Sequence, residues 1–487
     1  MENFIGRRDW LKKLGDLSHL KRPKILVVKG RRRVGKSRLI QEFAKGKRFL
    51  NFAGVAPSDT INTQDQRNNF IYQLSTQVKN PIKYADDWNQ ALTSLTSCIT
   101  DEETVILLDE ISWMGSGDAS FVAKLKNWWD LELQKFPNLT LVFCGSIFTW
   151  IEENIISSTA FFGRITLTIE LEPLSLNESR EFLHLKGFKG STYDIIKILS
   201  VVGGIPWYLE QISPIYMADK NIKQLCFEKG GILVSEFDHI FNDLFQNKSK
   251  IYRDILEILK DGMKPLEEVR KILAYNQSGT LSNHMKHLIT SGFVTKHAQW
   301  SIKTGEVRKQ SLYRLSDPYI RFYLKYIQPQ KDKIDQNFFK NIELSQIIGI
   351  DSIMGFQVEN LLLQNRQELL DSIGVSPTDC VFDNPYFQKQ NVRQLGLQID
   401  YLVQTKSNNI FICEFKFSRG TIGSEVIDQV KQKIEKFKIP KGFAVSSVLF
   451  YMGEISEAII TDNFFYRVVD ISQFVETKTN HSQQYHL

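Results

Sequence analysis

The sequence predicts a multidomain α/β protein: a parallel sheet wrapped by helices, then an all-helical segment, a helix-and-hairpin module and a second α/β unit. Three observations carry that prediction. The apolar run Ile25-Leu26-Val27-Val28 reads as a buried strand, and Gly30-Arg31-Arg32-Arg33-Val34-Gly35-Lys36-Ser37 follows it, leading into a helical pattern through Leu39, Ile40 and Phe43. A second buried-strand run, Thr104-Val105-Ile106-Leu107-Leu108, ends in Asp109-Glu110. Strand-like and helix-like segments alternate up to about residue 170, and helical periodicity alone follows.

Strand, glycine-bounded loop with Lys-Ser, then helix is the layout of a phosphate-binding loop. Glycines let the backbone wrap a phosphate, and main-chain amides and the helix N-terminus donate to it. Lys36 is expected to reach the β- and γ-phosphates of a nucleoside triphosphate, and Ser37 to hold Mg²⁺. Gly30, Arg31, Arg32, Arg33, Val34, Gly35 and Arg38 complete the expected nucleotide contacts. Asp109-Glu110 reads as a Walker B pair, with Asp109 on Mg²⁺ and Glu110 orienting or deprotonating the attacking water. A third apolar run, Thr140 through Cys144, ends at Gly145-Ser146, where Ser146 is either a γ-phosphate sensor or an ordinary strand-to-loop serine.

A chain of 487 residues suggests three or four domains. With 42% hydrophobic and 24% charged residues it is ordinary for a globular protein, and it has no apolar run long enough to span a membrane. Met1-Glu2-Asn3-Phe4 lacks the basic and apolar parts of a secretory signal. Cys98, Cys144, Cys226, Cys380 and Cys413 are scattered without a CxxC pair, which fits reduced core thiols and a cytoplasmic location. A net charge of +6 permits nucleic-acid contact without demanding it.

Residues 1–172 are expected to form the nucleotide-binding core and 173–247 a helical lid, opened by the capping box Ser175-Leu176-Asn177-Glu178. Within the lid, Gly203-Gly204-Ile205-Pro206 starts a helix, with Pro206 where a missing amide does no harm. Residues 248–328 carry the pattern of a winged helix: three amphipathic helices, then a hairpin turning at Lys303-Thr304-Gly305-Glu306. Asn283, His284, Lys286 and His287 are expected on the exposed face of its third helix, with Lys303, Arg308 and Lys309 on the wing. That set suits either a DNA-binding module or a spacer with a solvated polar face. Gln328 to Lys333 reads as a linker, 329–475 as a further α/β domain and 476–487 as a disordered tail. Trp113, Trp128 and Trp129 are expected in the core rather than in a stacking site.

The last α/β region holds a second chemical signal. Leu397 to Val403 alternates like a strand and contains Asp400, a turn at Ser407-Asn408-Asn409 follows, and Ile410 to Lys416 makes the return strand. Glu414 and Lys416, two apart, face the same side, and hairpin pairing brings Asp400 beside them. Two carboxylates can hold Mg²⁺ and a lysine can activate water, with Glu359 a third carboxylate and Gln429 a supporting group. The alternative is a sheet face carrying an ion pair of Lys416 with Glu414 or Asp400. This D…ExK layout resembles the PD-(D/E)XK nuclease fold, although Gln398 and Ile399, not the family's proline, precede Asp400.

Taken in order, the pieces resemble archaeal-type ATPases of the STAND/AAA+ group. The resemblance is carried by Phe4-Ile5-Gly6-Arg7-Arg8, residues 30–37, Asp109-Glu110, Phe162-Gly163-Arg164, Gly203-Gly204-Ile205-Pro206, and Leu315-Ser316-Asp317-Pro318-Tyr319-Ile320-Arg321-Phe322. It implies a P-loop NTPase sheet, a lid, a winged helix and a nuclease-like C-terminal domain, with ATP and Mg²⁺ as ligands. It also implies that Pro206 brings the lid to the nucleotide. Arg164 would then contact the γ-phosphate in its own chain or across a subunit boundary; otherwise it is a surface arginine opening the next strand. Three functions are open at this point. One is a regulatory ATPase whose C-terminal domains act as output on double-stranded DNA. The others are an ATP-gated metal-dependent DNA endonuclease and a non-hydrolysing nucleotide-bound DNA-binding or scaffold protein. Partners would be DNA, a second copy of the chain or a nucleotide-dependent protein.

Overall fold

The computed structural model describes residues 4–58, 60–146, 148–245, 249–275, 278–347, 349–388, 390 and 395–476; the expected tail beyond Glu476 lies outside them. Two compact units divide the chain. The first comprises the residues up to 174 together with 205–207 and 240–247; the second comprises the rest.

The first unit is built on five strands: β1 Lys24–Gly30, β2 Arg48–Ala53, β3 Thr104–Asp109, β4 Leu139–Gly145 and β5 Ile165–Leu171. All pair in parallel, in the order β2-β3-β4-β1-β5. Burial explains why the inner strands read as unbroken apolar runs. Every residue of β4 is buried, and β1 and β3 nearly so, whereas edge strands β2 and β5 alternate more openly. A strand covered on both faces has no polar side to show. Trp128 and Trp129 lie in the core beside this sheet, and the Trp128 indole donates to Thr96 Oγ1 at 2.7 Å. Because β4 lies between β1 and β3, its carboxyl end stands between the loop after β1 and the acidic pair at the end of β3.

In the second unit, the box at Ser175 and Glu178 forms as expected and caps helix Leu176–Leu185. Helix Ser249–Leu259, short strand β6 Lys264–Pro265, helices Leu266–Ile272 and Ser278–Thr290, then β7 Val294–Trp300 and β8 Val307–Leu315 follow in chain order, the three strands forming a small sheet. One expectation fails on the third helix. His284 is buried, accepting from or donating to Tyr252 Oη at 3.1 Å, and His287 is half-buried against the same hydroxyl at 2.7 Å. Position 284 shares a face with the buried Leu281 and Leu288, so helical spacing turns it inward. Asn283, Lys286, Lys303, Arg308 and Lys309 are exposed. The expected linker is also helical, through Gln328–Gln330 and Lys331–Asp335. Ile327 and Ile334, seven residues apart and fully buried, give that polar stretch an inner face.

The C-terminal sheet has the order β13-β12-β11-β10-β9. Its strands are β9 Cys380–Gln388, β10 Leu397–Thr405, β11 Asn409–Phe417, β12 Ala444–Met452 and β13 Arg467–Asp470. Strands β9 to β11 are antiparallel, and β11 to β13 parallel. Helix Glu425–Lys436 lies between β11 and β12 in sequence and buries Val426, Ile427 and Val430. All five cysteines are unbridged, and among the described residues no helix is long and apolar enough to cross a membrane.

Candidate active site

The carboxyl edge of the first sheet gathers five of the expected residues. Gly35 takes φ of 95°, a left-handed conformation that only glycine adopts easily, and it starts helix Lys36–Phe43. Lys36 is buried and its ammonium donates to Gly30 O and Arg31 O, both at 3.0 Å, and to Ser146 Oγ at 2.8 Å. Ser146 passes the contact on: its hydroxyl donates to Glu110 Oε1 at 2.6 Å and its amide to Glu110 Oε2 at 3.0 Å. Glu110 holds this position from a left-handed backbone, φ 47° and ψ 49°, at the start of the short helix Ile111–Met114. Beside this chain, the Ser37 hydroxyl donates to Asp109 Oδ2 at 2.5 Å. A lysine, two hydroxyls and two carboxylates thus converge where three strands end.

A second cluster stands on the C-terminal sheet. The β10–β11 register pairs Tyr401 with Cys413, and continued by one residue it sets Asp400 opposite Glu414. Lys416 bonds Glu414 Oε1 at 3.0 Å and donates to Gln429 Oε1 at 2.9 Å. Lys433, absent from the sequence reading, donates to Asp400 Oδ1 at 3.4 Å and to Glu414 Oε2 at 2.5 Å. Burial and then the Glu414 charge push the Asp400 carboxyl above its ordinary value. Burial opposes the charge on Lys433, but the Asp400 and Glu414 carboxylates hold its pKa above the usual lysine value. Burial, then Asp400, raise Glu359 to about 7, against the pull of Arg314, Arg321 and Lys433. Among the described residues no group of three or more His, Cys, Asp or Glu side chains could hold a metal ion.

Comparison with known proteins bears on the first of these sites. The family model that matches is an ATPase domain predominantly from Archaea, over residues 4–212. This stretch carries an archaeal-type ATPase domain. An uncharacterized protein of Methanocaldococcus jannaschii is 25% identical over 372 residues, 75% of this chain and 78% of that protein. A solved Walker-type ATPase of Pyrococcus abyssi is 16% identical, with a TM-score of 0.49 over 66% of this chain and 97% of its own. The Aeropyrum pernix ORC2 protein, solved in ADPNP–ADP complexes, is 14% identical with a TM-score of 0.43, over 70% of this chain and 98% of its own.

Within the ATPase domain, Ser37 and Asp109 are hard oxygen donors of the kind Mg²⁺ takes, and they already meet. Arg164 forks onto Asp130, Nε to Oδ1 at 2.8 Å and Nη2 to Oδ2 at 2.9 Å, a partner that sequence reading did not find. Pro206 starts helix Pro206–Glu210, and its neighbour Trp207 lies under the Arg33 guanidinium at 3.5 Å from ring centroid to Cζ. Arg38 is exposed. Gly30 has a structural task of its own, because a Cβ there would stand 2.6 Å from Leu171 O and 3.1 Å from Val34 Cγ1. Both neighbours are fixed by β5 and the loop. Gly30→Ala is therefore expected to lower stability by about 1–3 kcal/mol, as overpacking does. Denaturant unfolding checks it, and an unchanged midpoint would show that β5 yields freely.

Proposed function

We propose that the chain binds and hydrolyses ATP with Mg²⁺ and works as a regulatory ATPase. Its lid lies in 173–247, and its winged-helix and nuclease-like regions, 248–328 and 329–475, are the output toward DNA. The observation that carries this reading is the unbroken chain Lys36–Ser146–Glu110 beside the Ser37–Asp109 pair.

On this reading Lys36 binds the β- and γ-phosphates by exchanging its carbonyl and hydroxyl acceptors for phosphate oxygens. Ser37 and Asp109 would hold Mg²⁺, which neutralises phosphate charge when bound. Glu110 orients water and accepts its proton, and Ser146 couples the state of Lys36 to that of Glu110. Residues 205–207 group with the nucleotide-binding unit, which supports a place for Pro206 near the nucleotide. Exposed Lys286 on helix Ser278–Thr290 and Lys303, Arg308 and Lys309 in the hairpin region support phosphate contact, though burial of His284 narrows the helix's face. The Arg164–Asp130 fork supports a role for Arg164 only where a phosphate or partner competes with Asp130.

The test is ATP turnover by the full chain. Lys36→Ala removes charge-assisted hydrogen bonds worth about 1.5–3 kcal/mol, so ATP binding is expected to weaken roughly 10- to 150-fold. Titration calorimetry reads it. Parent protein without turnover, or Lys36→Ala with parental affinity, overturns the reading.

A further inference from the structure

The acidic pair on the C-terminal sheet already has its cation. Asp400 and Glu414, opposed across two strands, would repel each other if both were charged and alone. Each of their four oxygens instead has a donor: Lys433 on Asp400 Oδ1, the Phe415 amide on Asp400 Oδ2 at 3.2 Å, Lys416 on Glu414 Oε1 and Lys433 on Glu414 Oε2. Two ammonium groups thus balance the two strand carboxylates, while the third, Glu359, is held toward its neutral form by burial and by Asp400. Nor is Lys433 a loose surface lysine. Its side chain is 22% exposed, on a helix anchored by the buried Val426, Ile427 and Val430. Gln429, one helical turn before it, takes Lys416, so the same face of helix Glu425–Lys436 supplies both contacts.

We infer that Lys433 is a tethered cation standing where a divalent metal would bridge Asp400 and Glu414, so the intact chain has no metal centre there. The residues expected to hold Mg²⁺ do not fit it while Lys433 is in place. This inference does not depend on the ATPase reading, and it separates the regulatory ATPase from the metal-dependent nuclease.

The experiment uses the full chain without nucleotide and Mn²⁺ as probe, with free Mn²⁺ counted by electron paramagnetic resonance. The parent and Asp400→Asn proteins are expected to bind Mn²⁺ equally. Lys433→Met, which keeps the side chain's length and drops its charge, should gain one site. Its affinity should rise about 10- to 100-fold over the parent, the scale on which a neighbouring group changes metal binding. Adding Asp400→Asn should abolish that gain. A parent site that Asp400→Asn removes, or a Lys433→Met protein that gains nothing, overturns the inference. Should Lys433→Met fail to fold, thermal melting of the parent decides. An equal response of parent and Asp400→Asn to MnCl2, whether no rise in Tm or the same rise, supports the tethered cation, and a rise that Asp400→Asn abolishes refutes it.

Discussion

Glu110→Gln should leave ATP binding close to the parent's and reduce turnover by about 10²–10⁴-fold, the usual contribution of a positioned general base. The geometry makes this a clean substitution. Glu110 accepts from the Ser146 amide through one oxygen and from the Ser146 hydroxyl through the other. A glutamine can keep both contacts, its oxygen accepting from the amide and its NH2 donating to the hydroxyl, whose lone pairs also serve Lys36. Shape and Lys36 position are retained while the proton acceptor is lost. Phosphate release under saturating ATP, beside a binding isotherm, separates the two effects. If the Glu110→Gln protein hydrolyses at the parental rate, the base lies elsewhere. A Ser146→Ala protein is the companion measurement. It breaks the link between Lys36 and Glu110, and is expected to reduce turnover with a smaller loss of affinity than Lys36→Ala shows.

Such residues were legible because each lies within a short, continuous stretch whose chemistry is local. A glycine-bounded loop after a buried strand, and an acidic pair at a strand end, announce themselves without any knowledge of pairing. Ser146 was a weaker signal, since its value comes from β4 lying between β1 and β3, an order that no local pattern states. Lys433 was harder still. It sits among Lys431, Lys436 and Lys438, and nothing in that run distinguishes the one lysine that a sheet requires. Only the cross-strand placement of Asp400 opposite Glu414 creates the demand. The i,i+4 spacing from Gln429 was the available clue. His284 was a different kind of miss: the i,i+3,i+4,i+7 spacing of Leu281, His284, Met285 and Leu288 already turned it inward, and its polarity outweighed its position.

Trp300→Ala should destabilise the C-terminal sheet by about 3–5 kcal/mol, the range for emptying a large buried aromatic site. The residue ends β7 of the hairpin that reads as a wing, but it is fully buried in the core formed by Ile399, Ile412 and Val430. Its ring stacks on Phe382 with centroids 4.8 Å apart, and its indole donates to Gln404 Oε1 at 2.6 Å. Gln404 answers by donating to Ile302 O at 3.0 Å, so the hairpin and β10 share a two-way bond inside an apolar setting. Truncation opens a cavity and also leaves the Gln404 oxygen without its donor, which adds about 1–3 kcal/mol where the group stays buried. Trp300→Phe keeps most of the stacking and loses only the N–H. It should therefore fall between parent and Trp300→Ala, and the gap apportions packing against hydrogen bonding. Hydrogen exchange of the β10 and β11 amides is the readout, since it follows this sheet apart from the ATPase domain. An independent wing would confine the damage to the hairpin and leave those amides protected within about 0.5 kcal/mol of the parent, as surface changes do. Loss of protection throughout β10 and β11 means instead that the hairpin is part of the core on which Asp400 and Glu414 are mounted.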